Sequence, residues 1–299
     1  MHVFLTGGSG YVGSAVLRRL VGAGHRVTAL VRSEESAAKV SAAGAGALFG
    51  DITDVAWLAE RMAEGDGVIH TASPNDATSE QVDRAVVQSA GRALGGTGKP
   101  YVHTSGMWVF GSGDRITEQS PFDPVAALAW RPQVTQEVLA MPTRTGIVLP
   151  GVVYGHGHGG SIPTLITQAP RTDTGALTLL GDGTQHWVTV HVDDLADLYA
   201  RVLLDGRTGS YWIGSDGRNP SVRALGEAAS RAAGAHGAVV PESTEDTTRR
   251  LGAFAEGVLR SQSATGDKAR SELGWKPVRS SLLEELEHGS YAPGGRALN

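Results

Sequence analysis

A glycine-rich segment near the N-terminus, residues 6–13 with the sequence TGGSGYVG, constrains the fold of this chain more than any other part. It follows a short apolar run and precedes apolar residues at helical spacing over residues 12–21. A strand, a glycine turn and an amphipathic helix in this order are typical of a dinucleotide-binding site, although such glycines sometimes only make a turn. Gly7 permits the turn, Gly10 lets the backbone approach a pyrophosphate, and Gly13 lets the helix pack on the strand. We therefore predict a phosphate site at the N-terminus of the first helix.

Length and composition exclude several classes of protein. The 299 residues allow one large α/β domain, or one domain with a smaller lobe. The absence of cysteine removes disulfides, thiolate nucleophiles and thiolate zinc sites. The net charge of −5, with both signs scattered, gives no sign of nucleic-acid binding, and no apolar run approaches the roughly 20 residues that span a bilayer. Because the first strand begins at residue 2, we expect no signal peptide and predict a cytoplasmic protein that acts on a small molecule.

Short apolar runs alternate with helical segments through the first half of the chain. Further strands are predicted at residues 26–31, 47–49, 67–70, 101–105 and 144–149, with helices at 54–62 and 78–94 among the segments between them. Repeated strand–helix units imply a parallel sheet whose ligands lie beyond the carboxyl ends of the strands. We therefore predict an α/β fold with a doubly wound parallel sheet of the Rossmann type.

The end of the second predicted strand bears on the choice of cofactor. Sites for NAD place an acidic residue there, about 20 residues past the glycine turn. This chain has Arg32 followed by Ser33. A guanidinium and a hydroxyl suit a 2′-phosphate, which a carboxylate would repel. The sequence thus favours NADP(H) over NAD(H), with a solvated surface arginine as the alternative.

Several segments, in order, resemble the extended or atypical short-chain dehydrogenases/reductases of the NAD-dependent epimerase/dehydratase type. Besides TGGSGYVG they are GDITD at 50–54, HTA at 70–72, PGVVYG at 150–155 and HVDDLA at 191–196. The resemblance covers nearly the whole chain. It implies a Rossmann domain at residues 1–150 plus 187–205 and a smaller C-terminal substrate-binding lobe at residues 151–186 plus 206–299.

The resemblance also implies where the cofactor lies. Its contacts are expected from the glycine turn and the strand ends: Gly7, Ser9, Gly10, Tyr11, Val12, Gly13, Arg32, Asp51, Ile52, Thr71, Ala72, Ser73, Thr104, Ser105, Arg131, Pro150 and Val153. Asp51 is a candidate for the adenine amino group, or else caps the loop after its strand. His70 is expected to be a packed histidine. A homodimer through the helices at 78–94 and 131–140 is a possibility that the resemblance raises.

The family carries out its chemistry with Tyr-x-x-x-Lys on a helix and with a Ser or Thr after the fifth strand, the tyrosine exchanging a proton with the substrate. None of the four lysines of this chain lies four residues after a tyrosine. When the helix is aligned on Glu137, Ala129 takes the tyrosine position and Gln133 the lysine position. Gly106 takes the Ser/Thr position. The resemblance therefore predicts nucleotide binding with all three catalytic positions vacant.

Other residues are candidates to replace the missing groups. Arg131 is a candidate for the ribose or pyrophosphate in place of the lysine, or else pairs with Glu137 or a surface carboxylate. Tyr154, His156 and His158 are candidate acids or bases, although such a tyrosine more often packs against the cofactor loop. The two histidines have no helical register to orient them, so we predict no metal site. Substrate contacts are expected from Gly106, Met107, Trp108, His186 and Trp187.

These observations favour an NADPH-dependent reductase of a small organic molecule. An activated acceptor, such as an imine or a conjugated enone, is favoured because it takes hydride with little help from a general acid. One alternative is a non-redox isomerase, dehydratase or cyclase that uses His156, His158 or His186. Another is a cofactor-sensing binding protein.

Overall fold

The structure, a computed structural model, describes residues 1–157 and 161–295. Seven of the strands in these residues form one parallel sheet, in the order β10-β6-β5-β4-β1-β2-β3. The strands are β1 (His2–Thr6), β2 (Arg26–Val31), β3 (Gly46–Phe49), β4 (Gly67–His70), β5 (Pro100–Thr104), β6 (Arg144–Pro150), β7 (Val152–Tyr154), β8 (Leu177–Thr178), β9 (Thr189–His191), β10 (Ser210–Gly214) and β11 (Val239–Val240). The order reverses between β1 and β4, where doubly wound sheets bind their ligands. The predicted fold class is confirmed.

Helices cover both faces of this sheet. They are α1 (Tyr11–Gly22), α2 (Glu34–Ala42), α3 (Val55–Ala63), α4 (Ser79–Leu94), α5 (Arg131–Leu139), α6 (Ser161–Thr167), α7 (Val192–Asp205), α8 (Val222–Ala232), α9 (Thr244–Leu251), α10 (Phe254–Val258), α11 (Asp267–Leu273) and α12 (Leu282–Glu287). Apolar side chains of α1, α2 and α7 form one core against the sheet, and those of α3, α4 and α5 form a second core. Of the helices described, none combines the length and the apolar character needed to cross a membrane.

A third core lies beyond the carboxyl end of β6. It joins side chains of β7, β8, α8 and α12, and it includes Trp187 and Tyr154. β7 pairs with β9, and β8 pairs with β11. The predicted division into a Rossmann domain and a substrate-binding lobe stays a prediction. The structure differs from that division at residues 210–214, because β10 pairs with β6 and extends the central sheet.

Two helices differ from the predicted elements for local reasons. The unpredicted α2 begins after Ser33, whose Oγ accepts a hydrogen bond from the N–H of Ser36 at 3.2 Å. The helical segment over residues 244–258 is divided into α9 and α10 around Gly252, which has a φ of 58°. That left-handed conformation ends a helix.

Candidate active site

The turn between β1 and α1 is closed by its own backbone. The N–H of Gly10 donates to the carbonyl of Gly7 at 2.9 Å. Gly7 has a φ of 78°, and a Cβ there would lie 2.6 Å from the backbone nitrogen of Ala72. A Cβ on Gly13 would lie 2.0 Å from the carbonyl oxygen of Gly7. Both positions therefore require glycine, and the turn packs directly against the segment after β4.

The N-terminus of α1 is open at this turn. Its N-cap residue, Gly10, has no side chain to cap the helix, and the first turn contains no acidic residue. Ser9, Tyr11 and Val12 lie partly exposed beside it. The first N–H groups of a helix lack partners within the helix, and the helix dipole favours an anion there. The residues present therefore fit the pyrophosphate of a dinucleotide.

The residues after β2 and β3 differ in their hydrogen bonds. Arg32 is exposed and makes no hydrogen bond or ion pair with another described residue. Ser33 caps α2 beside it. Asp51 instead accepts hydrogen bonds from the N–H and the hydroxyl of Thr53, at 2.8 and 2.7 Å, which lower its pKa. Asp51 thus caps its own loop, while Ile52 packs against the second core.

Hydroxyl groups collect at the ends of β4 and β5. Thr71 donates to the carbonyl of Thr6 at 2.8 Å, and Thr104 donates to the carbonyl of His70 at 2.5 Å. Ser105 differs, because its Oγ is buried without a hydrogen-bond partner among the described residues. A buried hydroxyl without a partner is costly, so Ser105 is able to bind a ligand without breaking an internal bond. Three predicted contacts lie nearby, with Ser73 donating to Asn75 at 3.3 Å and with Pro150 and Val153 in β6 and β7.

Arg131 lies at the start of α5, next to the end of β5. Its guanidinium stacks over Trp130 at 4.8 Å, and Nη1 donates to the carbonyl of Thr104 at 3.3 Å. The side chain is 13 % exposed, and Nε is buried without a partner among the described residues. The alternative partner Glu137 pairs instead with Arg84 at 3.0 Å. The cation therefore lies beside Ser105, where a ligand beyond the strand ends would meet it.

A buried polar cluster behind Arg131 was missed in the sequence. Asp83 of α4 lies between His70 of β4 and His103 of β5, and all three side chains are at most 3 % exposed. His70 was expected only to pack at its strand end. Asp83 had no distinguishing motif, but a carboxylate within the apolar face of a predicted helix was a usable signal. Tyr101 completes the cluster, its hydroxyl 2.9 Å from Nδ1 of His103.

The positions aligned with the family's catalytic residues hold no acid or base. Ala129 is exposed just before α5. Gln133 is also exposed, and its Oε1 accepts a hydrogen bond from Arg84 at 3.2 Å. At Gly106, a Cβ would find no atom nearer than the carbonyl oxygen of Pro150, at 4.0 Å. The alignment stays a prediction, but none of these side chains has a group that would exchange a proton.

Tyr154, a candidate proton donor, is fully buried. Its hydroxyl lies 2.7 Å from the carbonyl of Ser280 and 3.0 Å from Oδ2 of Asp216, both of which accept from it. Burial raises the pKa of Tyr154 well above its ordinary value, and Asp216 raises it further. The hydroxyl therefore ties β7 to the lobe and has no proton left for a substrate in this arrangement.

His156 lies in a second histidine cluster, and His158 is outside the described residues. Nε2 of His156 is 3.0 Å from Oδ1 of Asp193, and candidate ligand atoms of His156, His191 and Asp193 all lie within 4.8 Å of one another. These groups already satisfy each other, since the N–H of Asp193 donates to Nδ1 of His191 at 3.1 Å and Arg279 lies 3.4 Å from Oδ2 of Asp193. The prediction that there is no metal site stays a prediction.

The predicted substrate residues meet around the segment that follows α10. Trp108 packs edge-on against Phe254 at 5.1 Å. The indole N–H of Trp187 donates to the carbonyl of Val258 at 2.9 Å, deep in the lobe core. His186 is exposed, and its Nδ1 lies 2.7 Å from the carbonyl of Asn219. Gly106 and Trp108 thus stay near the strand ends, while Trp187 is a core residue.

Gln262 holds these segments together and was not singled out in the sequence. Its amide donates to the carbonyls of Met107, Phe110 and Gly111, at 2.9, 2.9 and 3.1 Å. Its backbone N–H donates to the carbonyl of His186 at 2.8 Å. The side chain is buried, so the loop after β5 is fixed to the lobe.

Comparison with known proteins identifies the family. The sequence profile of the NAD dependent epimerase/dehydratase family matches residues 3–214. The chain belongs to this family. An uncharacterized protein of Schizosaccharomyces pombe is 32 % identical, and the alignment covers 97 % of this chain and 100 % of that protein.

Relatives with named activities are more distant. A 4-hydroxy-2-methyl-3-oxo-4-farnesyl-3,4-dihydroquinoline-1-oxide ketoreductase of Stigmatella aurantiaca is 29 % identical over 75 % of this chain and 71 % of its own. The solved dTDP-glucose 4,6-dehydratase DesIV of Streptomyces venezuelae, with NAD bound, superposes with a TM-score of 0.75 at 24 % identity, over 96 % of this chain and 95 % of its own. The structural match supports the fold, and the description of the family implies a nicotinamide cofactor.

Proposed function

We propose that this protein is an NADPH-dependent reductase of a small organic molecule. The observation that carries the proposal is the backbone cradle at the end of β1, where Gly7 and Gly13 exclude side chains and α1 opens toward an anion. A bound reduced nicotinamide would supply the hydride. The chain's own residues then have to bind the nucleotide, orient the acceptor and provide or avoid a proton.

The preference for NADPH rests on Arg32. Its guanidinium is exposed at the end of β2, next to the N-terminus of α2, and makes no hydrogen bond or ion pair with another described residue. Its charge adds to the hydrogen bonds from Thr78 that lower the pKa of Asp76. A 2′-phosphate there would gain a charge-assisted bidentate contact and the field of a second helix N-terminus. Glu34 and Glu35 in the first turn of α2 oppose this field, so Arg32 has to supply most of the discrimination.

At the other end of the cofactor site, the hydroxyl of Ser105 and Nε of Arg131 have no hydrogen-bond partner among the described residues, while Nη1 of Arg131 donates to the carbonyl of Thr104. We assign them to the ribose hydroxyls or to the oxygen of the acceptor. Arginine stays protonated at neutral pH, so Arg131 stabilises negative charge but does not deliver a proton efficiently. An imine or a conjugated enone needs less acid catalysis than a simple ketone, so these activated acceptors fit the site better. Gly106 and Trp108 are the proposed substrate contacts.

Calorimetric titration with NADPH and NADH tests the cofactor assignment. We expect NADPH to bind at least about tenfold more tightly than NADH, and Arg32→Ala to remove the difference. Arg18→Ala, at an exposed arginine on α1, is the matched control and should keep it. Failure to bind either nucleotide would contradict the proposal.

Turnover with a panel of acceptors tests the reaction. We expect NADPH oxidation with imines or enones to exceed that with unactivated ketones. The ketoreductase relative, together with a 2-alkyl-3-oxoalkanoate reductase of Stenotrophomonas maltophilia, supports net reduction but also makes ketones the essential comparison. Faster reduction of simple ketones would overturn the proposed acceptor class.

A redox-neutral reaction is the second candidate. The observation that favours it is that UDP-glucose 4-epimerases, such as that of Mycolicibacterium smegmatis, also align with this chain, at 28 % identity over 93 % of its length. Product formation without consumption of NADPH would support an isomerase, dehydratase or cyclase. Nucleotide binding with no turnover of any kind would instead support a cofactor-sensing protein. A cytoplasmic location and a homodimer through α4 and α5 belong to the same proposal.

A further inference from the structure

The buried cluster around Asp83 has an uneven set of contacts. Nε2 of His70 lies 3.1 Å from Oδ1 of Asp83, within hydrogen-bond distance. Nε2 of His103 lies 3.7 Å from Oδ2, which is too long for a hydrogen bond. Oδ2 is therefore buried without a hydrogen-bond partner among the described residues. A carboxylate oxygen left in this state needs a compensating charge.

The hydroxyl neighbours of the two histidines favour a tautomer that supplies no such charge. The hydroxyl of Thr6 lies 2.7 Å from Nδ1 of His70, and the hydroxyl of Tyr101 lies 2.9 Å from Nδ1 of His103. When each hydroxyl donates to its Nδ1, each ring carries its single proton on Nε2, facing the carboxylate. Burial also lowers the pKa of His103, which favours the same form.

Arg131 is therefore the cation that balances Asp83. Its Nη1 lies 3.9 Å from Oδ2, so the attraction is electrostatic and consumes no N–H donor. Nε of Arg131 keeps its proton unshared. The half-buried pair of Arg201 and Asp197 behaves differently, because Nε of Arg201 donates to Oδ2 of Asp197 at 2.6 Å and is thereby occupied.

We propose that Asp83 is a positioning residue of the cofactor site, which holds the guanidinium of Arg131 at the end of β5 by charge. The N–H groups of Arg131 that do not donate to the carbonyl of Thr104 are then left for the ribose hydroxyls of a nicotinamide nucleotide. This inference rests on the proposed function. The same cluster reaches the other end of the site, because Thr6 directly precedes Gly7 of the glycine turn. Asp83 thus links the two ends of the nucleotide site through His70.

A double-mutant cycle separates positioning from stability. Asp83→Asn and Arg131→Met each leave one buried charge unpaired, so each should lower the Tm by about 10 °C. The combined variant leaves neither charge and should recover most of the Tm. Each single variant should also weaken NADPH binding, measured calorimetrically, by on the order of tenfold. In the combined variant binding should stay weak, no weaker than in Arg131→Met alone.

Two further variants control the experiment. Asp197→Asn removes the carboxylate of the half-buried pair with Arg201 and should leave the Kd for NADPH unchanged. Arg131→Lys keeps the charge that Asp83 needs, so it should keep the Tm even if Asp83→Asn fails to fold, while losing part of the affinity.

Recovery of binding together with stability in the combined variant would overturn the inference, since it would make the pair merely structural. Unchanged binding in Arg131→Met or Arg131→Lys would overturn it as well. If the unmodified protein binds NADPH and follows the predicted cycle but reduces no acceptor, the reductase proposal fails alone. If the unmodified protein binds neither nucleotide, both fail.

Discussion

The two ends of the candidate cofactor site are built in different ways. At the β1–α1 turn, the shape is made by backbone, and Gly7 and Gly13 are needed because no side chain fits. At the β5–α5 end, the shape is made by side chains of Asp83, Ser105 and Arg131, which come from separate elements. A site made by the backbone of eight consecutive residues can be predicted from the sequence. A site made by side chains that are spread over roughly fifty residues becomes apparent only in the folded structure.

The largest effect is expected when a methyl group is added to the glycine turn between β1 and α1. Gly13→Ala would place Cβ 2.0 Å from the carbonyl oxygen of Gly7, so the turn or α1 must move. We expect a loss of at least about 3 kcal/mol in the free energy of unfolding, measured in urea, together with the loss of NADPH binding.

Gly22→Ala is the matched control in the same helix. A Cβ at Gly22 meets no atom within 4 Å, and alanine is the better helix former. This variant should be neutral or more stable by up to about 1 kcal/mol. Similar losses in the two variants would mean that the close approach of Gly13 to Gly7 does not decide the stability of the turn.

A substitution with a smaller expected effect, at Tyr154, tests whether the reaction takes place at the β5–α5 end of the site. Tyr154→Phe removes the hydrogen bonds to Asp216 and Ser280, both inside the lobe. The unfolding free energy should fall by about 1–2 kcal/mol, with kcat changed less than about threefold. A loss of 10²-fold or more in kcat without a change in KM would make Tyr154 the acid and move the chemistry away from β5 and α5.

The part of the fold that the sequence predicts is the part fixed by short-range patterns. Strand β2 coincides with its predicted bounds, and the helix predicted from residue 54 is capped by Asp54, which accepts from the N–H of Trp57 at 3.1 Å. Helix α2 was not predicted because most of its residues are polar and its apolar face is narrow. Ser33 could have been recognised as its N-cap from the sequence. The assignment of β10 to the lobe failed because a strand's sheet depends on pairing with a distant partner.

The site divides in the same way. The glycine turn and the exposed Arg32 were predicted from neighbouring residues, since each needs only its own strand and helix. Asp83 and Gln262 were not, because their roles depend on burial and on partners from other elements. Tyr154 was chosen for its place after β6, but the direction of its hydroxyl depends on Asp216 and Ser280, which no local pattern indicates.

The free energy of unfolding should depend on pH through buried histidines, one of which, His103, belongs to the β5–α5 end of the site. Burial lowers the pKa of His103 and that of His191 below the ordinary value near 6.5. Between their lowered pKa and 6.5, the unfolded chain binds more protons than the folded chain. The stability they contribute is therefore complete above about pH 6.5 and is lost as the pH falls below it, by up to about 1.4 kcal/mol per unit for each group.

We expect the Tm to fall between pH 7.5 and pH 5.5, and His103→Gln to reduce the slope. The exposed His288 is the control, and His288→Gln should keep the slope of the unmodified protein. If His103→Gln leaves the dependence of the Tm on pH unchanged, protonation of His103 does not contribute to that dependence.

The smallest expected change in stability comes from Gly106→Ser, which would return a hydroxyl to the position that the family alignment leaves vacant. The backbone there is extended, with a φ of −177°, and a Cβ would have no neighbour closer than 4.0 Å. The free energy of unfolding should therefore change by less than about 0.5 kcal/mol.

If the acceptor lies beside Ser105 and Arg131, the added donor should raise kcat/KM for simple ketones a few-fold and leave imines unaffected, because only the ketone oxygen develops a charge that needs a donor. Gly91→Ser on α4, where a Cβ also meets nothing, should change neither rate. An equal gain for both acceptors would mean that the hydroxyl acts on binding alone, and no gain would place the acceptor away from this end of the sheet.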